Sequence, residues 1–334
     1  MLRRSIVSFL IVSFLVAAVW VGYNWYYFVN APIISVSEKS PTLIIKPGMS
    51  VLEFAKLLQQ KGYYSHPHFL SLYARLHGYS HELQTGEYYI DPTMTAKDLL
   101  LHITTGKQYV RKLILIEGWN FAQVRQALAD NKHLLHLTDD VNKQDIMSTL
   151  GHSMENPEGR FFPATYSFTY GMSDIDILRK AYNKMADVLA AEWGNRSTLA
   201  PYKNAYEGLI VASLIEKETN LDDERPEIAG VIIHRLKKKM RLQIDPTVYY
   251  AVDKSYAEPL TKADLRTQSL YNTYKVKGLP PTPICMPGLA ALSAAMHPRG
   301  TDNLFYVANG KGGHYFSKSY ERHKVNVQKY RSAR

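Results

Sequence analysis

The segment from Tyr206 to Leu221 reads YEGLIVASLIEKETNL. Its apolar residues recur with a helical period, which predicts a core helix carrying two glutamates near its end. At about 100° per residue, Glu218 shares a face with Val211, Leu214 and Ile215. Glu216, two residues earlier, points about 160° away, beside Leu209, Ala212 and Ser213. A carboxyl leaving the most apolar stripe of a helix is desolvated, so its pKa rises and it holds a proton near neutral pH. The triplet Glu216-Lys217-Glu218 also reads as a solvated helix end, and periodicity alone leaves both readings open.

The segments that follow are polar without being surface-like. Arg241-Leu242-Gln243-Ile244-Asp245-Pro246-Thr247 is polar at alternate positions, and Tyr271-Asn272-Thr273-Tyr274 precedes the stiff Gly278-Leu279-Pro280-Pro281. Aromatic rings beside amides and hydroxyls suit a pyranose, which offers an apolar face for stacking and hydroxyls for hydrogen bonds. Ordinary loops have the same composition. Further on, Phe305-Tyr306-Val307-Ala308 and His314-Tyr315-Phe316 flank a Gly-rich turn and predict a β-hairpin. The turn, GKGGH, lacks the Lys-Ser/Thr pair and the following helix of a phosphate loop. His314 is a lesser candidate for the cleft.

Upstream, a β-branched run, a turn and a capped amphipathic helix recur three times. The runs are Thr42–Ile45, Tyr88–Ile90 and Leu113–Ile116, and the caps are Ser50, Thr95 and Asn120. Each cap is followed three residues later by Glu53, Asp98 or Gln123, the spacing of a reciprocal capping box. The first unit resembles a degenerate LysM module, a small fold that binds N-acetylglucosamine polymers; plain scaffold is the alternative. Between Ala129 and Glu158 the chain turns polar and aperiodic, which predicts a domain boundary. His133 and His136 lie there without an evident third ligand, so no metal is expected.

The chain of 334 residues has one cysteine and a net charge of +10. A lone Cys285 excludes an internal disulfide and any multi-Cys metal site, and its apolar neighbours predict a buried thiol. The charge suits an anionic partner. Its densest cluster, Arg235, Lys237, Lys238, Lys239 and Arg241, reads first as a solvated helix face and second as a contact for carboxylates on a polymer. From Ile6 to Val21 no charge occurs, and the apolar run continues to Phe28, long enough to cross about 30 Å of hydrocarbon. Trp20, Trp25 and the nearby tyrosines form an aromatic belt at one end. Arg3 and Arg4 precede the run and no Lys or Arg follows until Lys39, so the N-terminus is expected in the cytoplasm and the body outside. A nucleic-acid partner is excluded on that ground. A cleaved signal peptide is the rival, but Ala17-Ala18 is embedded in the apolar run.

Taken together, EKET in an apolar helix, RLQ-x-DPT, YNTY, GLPP-x-PI, His297-Pro298 and GKGGH resemble the MltG (YceG-like) endolytic murein transglycosylases. Glu158-Gly159 and Phe162-Pro163-x-Thr165-Tyr166 belong to the same pattern. The resemblance covers nearly the whole chain, with its motifs in family order. It implies that Glu218 is catalytic and that Gln243, Asp245, Thr247, Tyr271, Asn272 and Tyr274 line a glycan cleft, with no cofactor. It also implies cutting of nascent peptidoglycan strands beside the peptidoglycan synthases, in the inner membrane. A muramidase and a glycan-binding envelope scaffold are the alternatives. The expected fold is α+β. Residues 1–30 form the anchor (membrane through 5–28), 31–41 a linker, 42–130 the LysM-like region, 131–155 a connecting segment and 156–330 the mixed catalytic domain.

Overall fold

A computed structural model describes residues 2–33 and 41–332. The chain divides into two compact units, Met1–Arg111 with Ser167–Gly171, and Lys112–Tyr166 with Met172–Arg334. Helices and short strands are mixed in both.

In the first unit, α1 (Leu2–Asn30) is long and apolar enough to cross a membrane, and its residues from Ser5 to Tyr23 are exposed. This fits a single-pass membrane anchor. After it come β1 (Thr42–Ile45), α2 (Val51–Gln60), α3 (Pro67–Leu76), β2 (Gly86–Tyr89) and α4 (Ala96–Thr104). Strands β1 and β2 are antiparallel, Thr42 facing Tyr89 and Ile45 facing Gly86. Alternation sends Leu43 and Ile45 inward and leaves Ile44 outside. The helices cover the inner face with Phe54, Leu58, Leu70, Leu99, Leu100 and Ile103, all fully buried. Ser50 with Glu53 and Thr95 with Asp98 form the expected capping boxes, satisfying donors that a helix start leaves unpaired.

The expected linker is only partly a linker. Ile33 is buried in this core, its N–H bonds the Met94 carbonyl at 2.9 Å, and Pro32 bridges to Thr95. At the other end the Pro41 carbonyl accepts the Ile90 N–H at 3.0 Å. Residues 34–40 of that stretch lie outside the described residues.

The second unit contains most of β3 (Arg111–Ile114), then α5 (Phe121–Ala129), α6 (Lys143–Leu150), the first half of β4 (Thr165–Phe168), α7 (Asp174–Gly194) and α8 (Ala205–Glu218). It continues with α9 (Arg225–Lys237), α10 (Asp245–Val252), α11 (Leu289–Met296), β5 (Phe305–Ala308), β6 (His314–Ser317) and α12 (Tyr320–Ser332). The third strand–helix copy, with its Asn120–Gln123 capping box, thus groups with this unit and not with the first two. Phe121 stacks on Phe161 at 5.2 Å, and its N–H bonds the Glu158 carboxylate at 3.0 Å. The boundary expected between 129 and 158 therefore falls near residue 111. The polar stretch after α5 is ordered by Asp174, whose carboxylate accepts from the N–H groups of Leu137 and Thr138.

Helix α8 runs through the middle of this unit, buried from Gly208 to Glu216 and packed by α7, α9, α10 and α11. The hairpin falls where the sequence places it, Phe305 opposite Ser317 and Ala308 opposite His314. At Gly230 in α9, a Cβ would lie 2.3 Å from the Arg299 carbonyl oxygen. Gly230→Ala therefore forces backbone apart and is expected to destabilise by about 1–3 kcal/mol. Gly194, ending α7, has open space around an added Cβ, so Gly194→Ala should be neutral or stabilising by up to about 1 kcal/mol. Denaturant titration of the detergent-solubilised chain checks both, by the shift of midpoint at constant slope.

Candidate active site

Glu218 is the last residue of α8, and the chain leaves the helix there because Thr219 is extended, with φ −150° and ψ 144°. The side chain is half-buried. Burial is the main reason its pKa is pushed up to about 8, and the charge of Asp245 pushes the same way. A hydrogen bond from the Tyr306 hydroxyl and the charge of Arg235 pull it down by less.

Each neighbour is placed by a different element. Tyr306 stands on β5, and the His314 ring of β6 lies edge-on to it at 5.4 Å. His314 is fixed by Glu224, which accepts from its backbone N–H at 2.8 Å and lies 2.7 Å from its Nδ1. Glu224 in turn reaches Thr219 Oγ1 at 3.4 Å, which joins the hairpin to the end of α8. Arg235 comes from α9, is buried, and gives its donors to the carbonyls of Leu304, Arg241 and Leu242 and to Gln243 Oε1. Asp245 starts α10, with Pro246 in the first turn where no N–H is needed. It is exposed and accepts from the Tyr274 hydroxyl. Gln243, also exposed, has a left-handed φ of 53°, and its N–H bonds the Thr273 carbonyl at 3.2 Å.

The predicted site residues therefore separate. Glu218, Asp245 and Tyr274 act on one another electrostatically, with Gln243 and His314 reaching the same place through Arg235 and Tyr306. Thr247 and Asn272 do not line a cleft, since both are fully buried. The Thr247 hydroxyl donates to the Ile244 carbonyl at 2.6 Å and meets Thr273 Oγ1 at 2.9 Å. Asn272 donates to the Thr267 carbonyl at 2.8 Å and accepts from the Tyr274 N–H at 3.0 Å. They hold two loops in register.

Tyr271 belongs to a second cluster, its ring tilted against that of Tyr250 with centroids 4.8 Å apart and its hydroxyl 2.9 Å from Thr282 Oγ1. Tyr250 donates to Glu158 at 2.9 Å, and burial raises Glu158 to about 7. This acid borders a pocket of about 290 Å³ whose walls include Lys143, Lys217, Tyr249, Tyr250 and Tyr256. Lys217 directly precedes Glu218, lies over the Tyr256 ring at 4.2 Å and donates to the Gly118 carbonyl at 3.2 Å.

Glu216, on the face of α8 that it shares with Ser213, is buried too, and its carboxylate accepts the Gly288 N–H at 2.9 Å. Burial raises its pKa also, and the Gly288 bond moderates the rise. The basic cluster is likewise not all solvated, because Lys237, Lys238, Lys239 and Arg241 are exposed while Arg235 turns inward. Sequence reading missed Arg235 and Tyr306 as site residues. A single arginine within a run of lysines was the available signal for the first; the second lay in a predicted hairpin with no signal of its own.

Cys285 is fully buried, as expected, with Sγ 3.4 Å from the Ser213 carbonyl. His136 does have carboxylates near it, its ligand atom lying within 4.8 Å of those of Asp139 and Asp174. Asp174 is already engaged by Leu137, Thr138 and Ile175 donors, so the group reads as a loop clasp.

An acid raised to about 8 by burial, with Asp245, Tyr306 and Arg235 acting on it, defines an acid–base site in a chain that also carries a membrane-length helix. Comparison with known proteins narrows the class. The YceG-like family profile matches residues 43–329. The chain is 32% identical over 321 residues to an endolytic murein transglycosylase of Bacillus subtilis strain 168, covering 91% of this chain and 88% of that one. It is 28% identical over 366 residues to an endolytic murein transglycosylase of Streptococcus pneumoniae R6, covering 98% of this chain but 65% of the relative. A crystal structure of a YceG-like protein from Listeria monocytogenes superposes with a TM-score of 0.55 at 31% identity, over 86% of this chain and 99% of that one. The chain belongs to the YceG-like family.

The raised carboxyls have a thermodynamic signature. A carboxyl with a folded pKa above its ordinary value near 4.5 binds its proton more tightly folded than unfolded. That stability is complete below about pH 4.5 and is lost as pH rises through about 7 to 8. The melting temperature should fall across this window, and Glu218→Gln should flatten part of the fall. Thermal melts at a series of pH values decide it; an unchanged slope in the variant would remove Glu218 from the raised set.

Proposed function

We propose that this chain is an endolytic lytic transglycosylase that cleaves the N-acetylmuramic acid–N-acetylglucosamine bond of peptidoglycan, with Glu218 as its acid and base. The observation that carries the reading is a half-buried carboxyl at the end of α8, acted on by Asp245, Tyr306 and Arg235, with its pKa raised to about 8. The names of the B. subtilis and S. pneumoniae relatives support the same activity.

The chemistry needs one proton carrier. Protonated Glu218 donates to the bridging oxygen, the bond from muramyl C1 to that oxygen breaks, and the N-acetylglucosamine end leaves with a free hydroxyl. The oxocarbenium-like sugar left behind is cationic, and exposed Asp245 supplies negative charge near it. Glu218, now a carboxylate, removes the proton from the muramyl C6 hydroxyl, whose oxygen closes on C1 to give the 1,6-anhydro ring. Tyr306 donates to the carboxylate formed between the steps. No water is consumed, and Glu218 ends protonated as it began.

A muramidase is the second reading, and Asp245 is the observation that favours it. A hydrolase uses a second carboxylate as nucleophile or as base for water. A glycan-binding scaffold leaves the raised Glu218 unexplained.

The finer elements of the proposal rest on separate supports. An orientation with the N-terminus in the cytoplasm rests on Arg3 and Arg4 before the apolar run and no Lys or Arg between it and Lys39. LysM-like glycan binding by the first unit is supported by Tyr89 and Tyr109, both exposed and stacked 6.4 Å apart, a platform for sugar faces. Action on nascent strands beside peptidoglycan synthases follows from the family resemblance.

Purified peptidoglycan incubated with the enzyme should yield 1,6-anhydro-N-acetylmuramic ends by mass spectrometry, and Glu218→Gln should lower their rate by about 100-fold or more. Reducing ends that incorporate water would instead identify a muramidase. The pH–rate profile of the wild type should fall above about pH 8, where Glu218 loses its proton. In Asp245→Asn the charge that raises Glu218 is gone, so the alkaline limb should move to lower pH while the anhydro product persists. A change of product in Asp245→Asn would count against the single-carboxylate scheme.

A further inference from the structure

Helix α1 does not end in a free tether. Phe28 is fully buried, with ring centroids 5.9 Å from Tyr64, 5.8 Å from Phe69 and 4.7 Å from Tyr73. Trp20 meets Phe69 edge-on at 6.4 Å, and Trp25 lies 5.9 Å from Tyr73. Helix α3 is therefore held against the last third of α1. Ile33, just beyond α1, is bound into the same core, which leaves no slack between helix and unit.

This contact sets a depth. Crossing about 30 Å of hydrocarbon takes about 20 residues at 1.5 Å each. Counted from Ser5, where the apolar span begins, that length ends near Trp25. The stretch holding Trp20, Tyr23, Trp25 and Tyr26 then lies where the acyl region gives way to headgroups, the level at which Trp and Tyr rings concentrate. Whatever is packed on Trp20 and Trp25 lies at that level too.

The face of α3 that meets α1 continues outward as an apolar stripe. Phe69, Leu72, Tyr73 and Leu76 follow the i, i+3, i+4, i+7 pattern of one helical face. Phe69 and Tyr73 are spent on α1, but Leu72 is 53% and Leu76 73% exposed. Arg75, beside them, is exposed as well and can carry its charge to a phosphate while its stem stays apolar.

We propose that α3 lies in the outer membrane–water interface with Leu72 and Leu76 inserted among the lipids, docking the first unit directly on the bilayer. The occupant of this stripe is the lipid surface because the stripe is continuous with the face packed on the membrane-spanning helix. The proposal rests on α1 spanning the bilayer and is independent of the reaction assigned to Glu218.

The test uses the full chain with Cys285→Ala, in nanodiscs of phosphatidylethanolamine and phosphatidylglycerol. Single cysteines at Leu72→Cys, Leu76→Cys, Val12→Cys and Lys56→Cys carry an environment-sensitive fluorophore. Val12 reports the span, and Lys56 is an exposed residue of α2. Labels at 72 and 76 should emit to the blue of the label at 56 and lose intensity when shallow spin-labelled lipids are added, with the label at 12 quenched by deep ones. Quenching at 12 with water-like emission at 72 and 76 overturns the docking while leaving the span intact. Blue emission at 72 and 76 that lipid quenchers leave unchanged overturns it as well, since protein then covers the stripe. No lipid quenching at 12 removes the span, and the proposal with it.

Discussion

Helix α8 passes through the second unit with α7, α9, α10 and α11 around it, and its last residue carries the carboxyl on which the site depends. A charge brought that far from water is costly, and the carboxyl answers by holding its proton. Four influences compete there. Burial and Asp245 push Glu218 up, Tyr306 and Arg235 push it down, and the outcome near 8 shows that the first pair wins. Arg235 gives its Nε and Nη1 donors to the carbonyls of Leu304, Arg241 and Leu242 and acts on Glu218 through its charge.

Burial and a raised pKa do not single out the working acid. Glu158 and Glu216 share both properties. What differs is the use of their oxygens. Glu158 accepts from the Phe121 N–H at the start of α5 and from the Tyr250 hydroxyl, and Glu216 accepts from Gly288. Each therefore ties segments together and faces little solvent. Glu218 is more open than either, which lets a substrate approach it. The distinction between a structural and a chemical carboxyl lies in access.

The site is assembled from pieces that have little to do with one another along the chain. Glu218 ends one helix, Arg235 comes from the next, Asp245 starts a third, Tyr274 sits in a loop and Tyr306 on a hairpin. Buried hydroxyls and amides hold these pieces in place. Ser213 in α8 accepts the Ile284 N–H at 3.1 Å, Thr247 meets Thr273, and Asn272 staples its own loop. Each is a polar group satisfied inside the core, where leaving it unpaired costs about 1–3 kcal/mol. Their polarity resembles that of a sugar-binding surface, so residue types left a cleft and ordinary loops equally open, and the family resemblance placed Thr247 and Asn272 in the cleft.

Local physics was legible in the chain. The capping boxes at Ser50, Thr95 and Asn120, the strand at Thr42–Ile45, the hairpin at Phe305–Ala308 and His314–Ser317 and the membrane-length apolar run all depend on interactions within a few residues. So does the character of α8 as a core helix with Glu218 near its end. The tertiary structure decided what each side chain faces. Arg235 turned inward from a solvated run, Glu216 was buried although the helical wheel set it apart, Tyr271 joined Glu158, and the third strand–helix copy went to the second unit. A helix enclosed on all sides has no outer face for periodicity to report, and a polar residue serves a cleft or a core bond equally well until its partners from distant segments are in place.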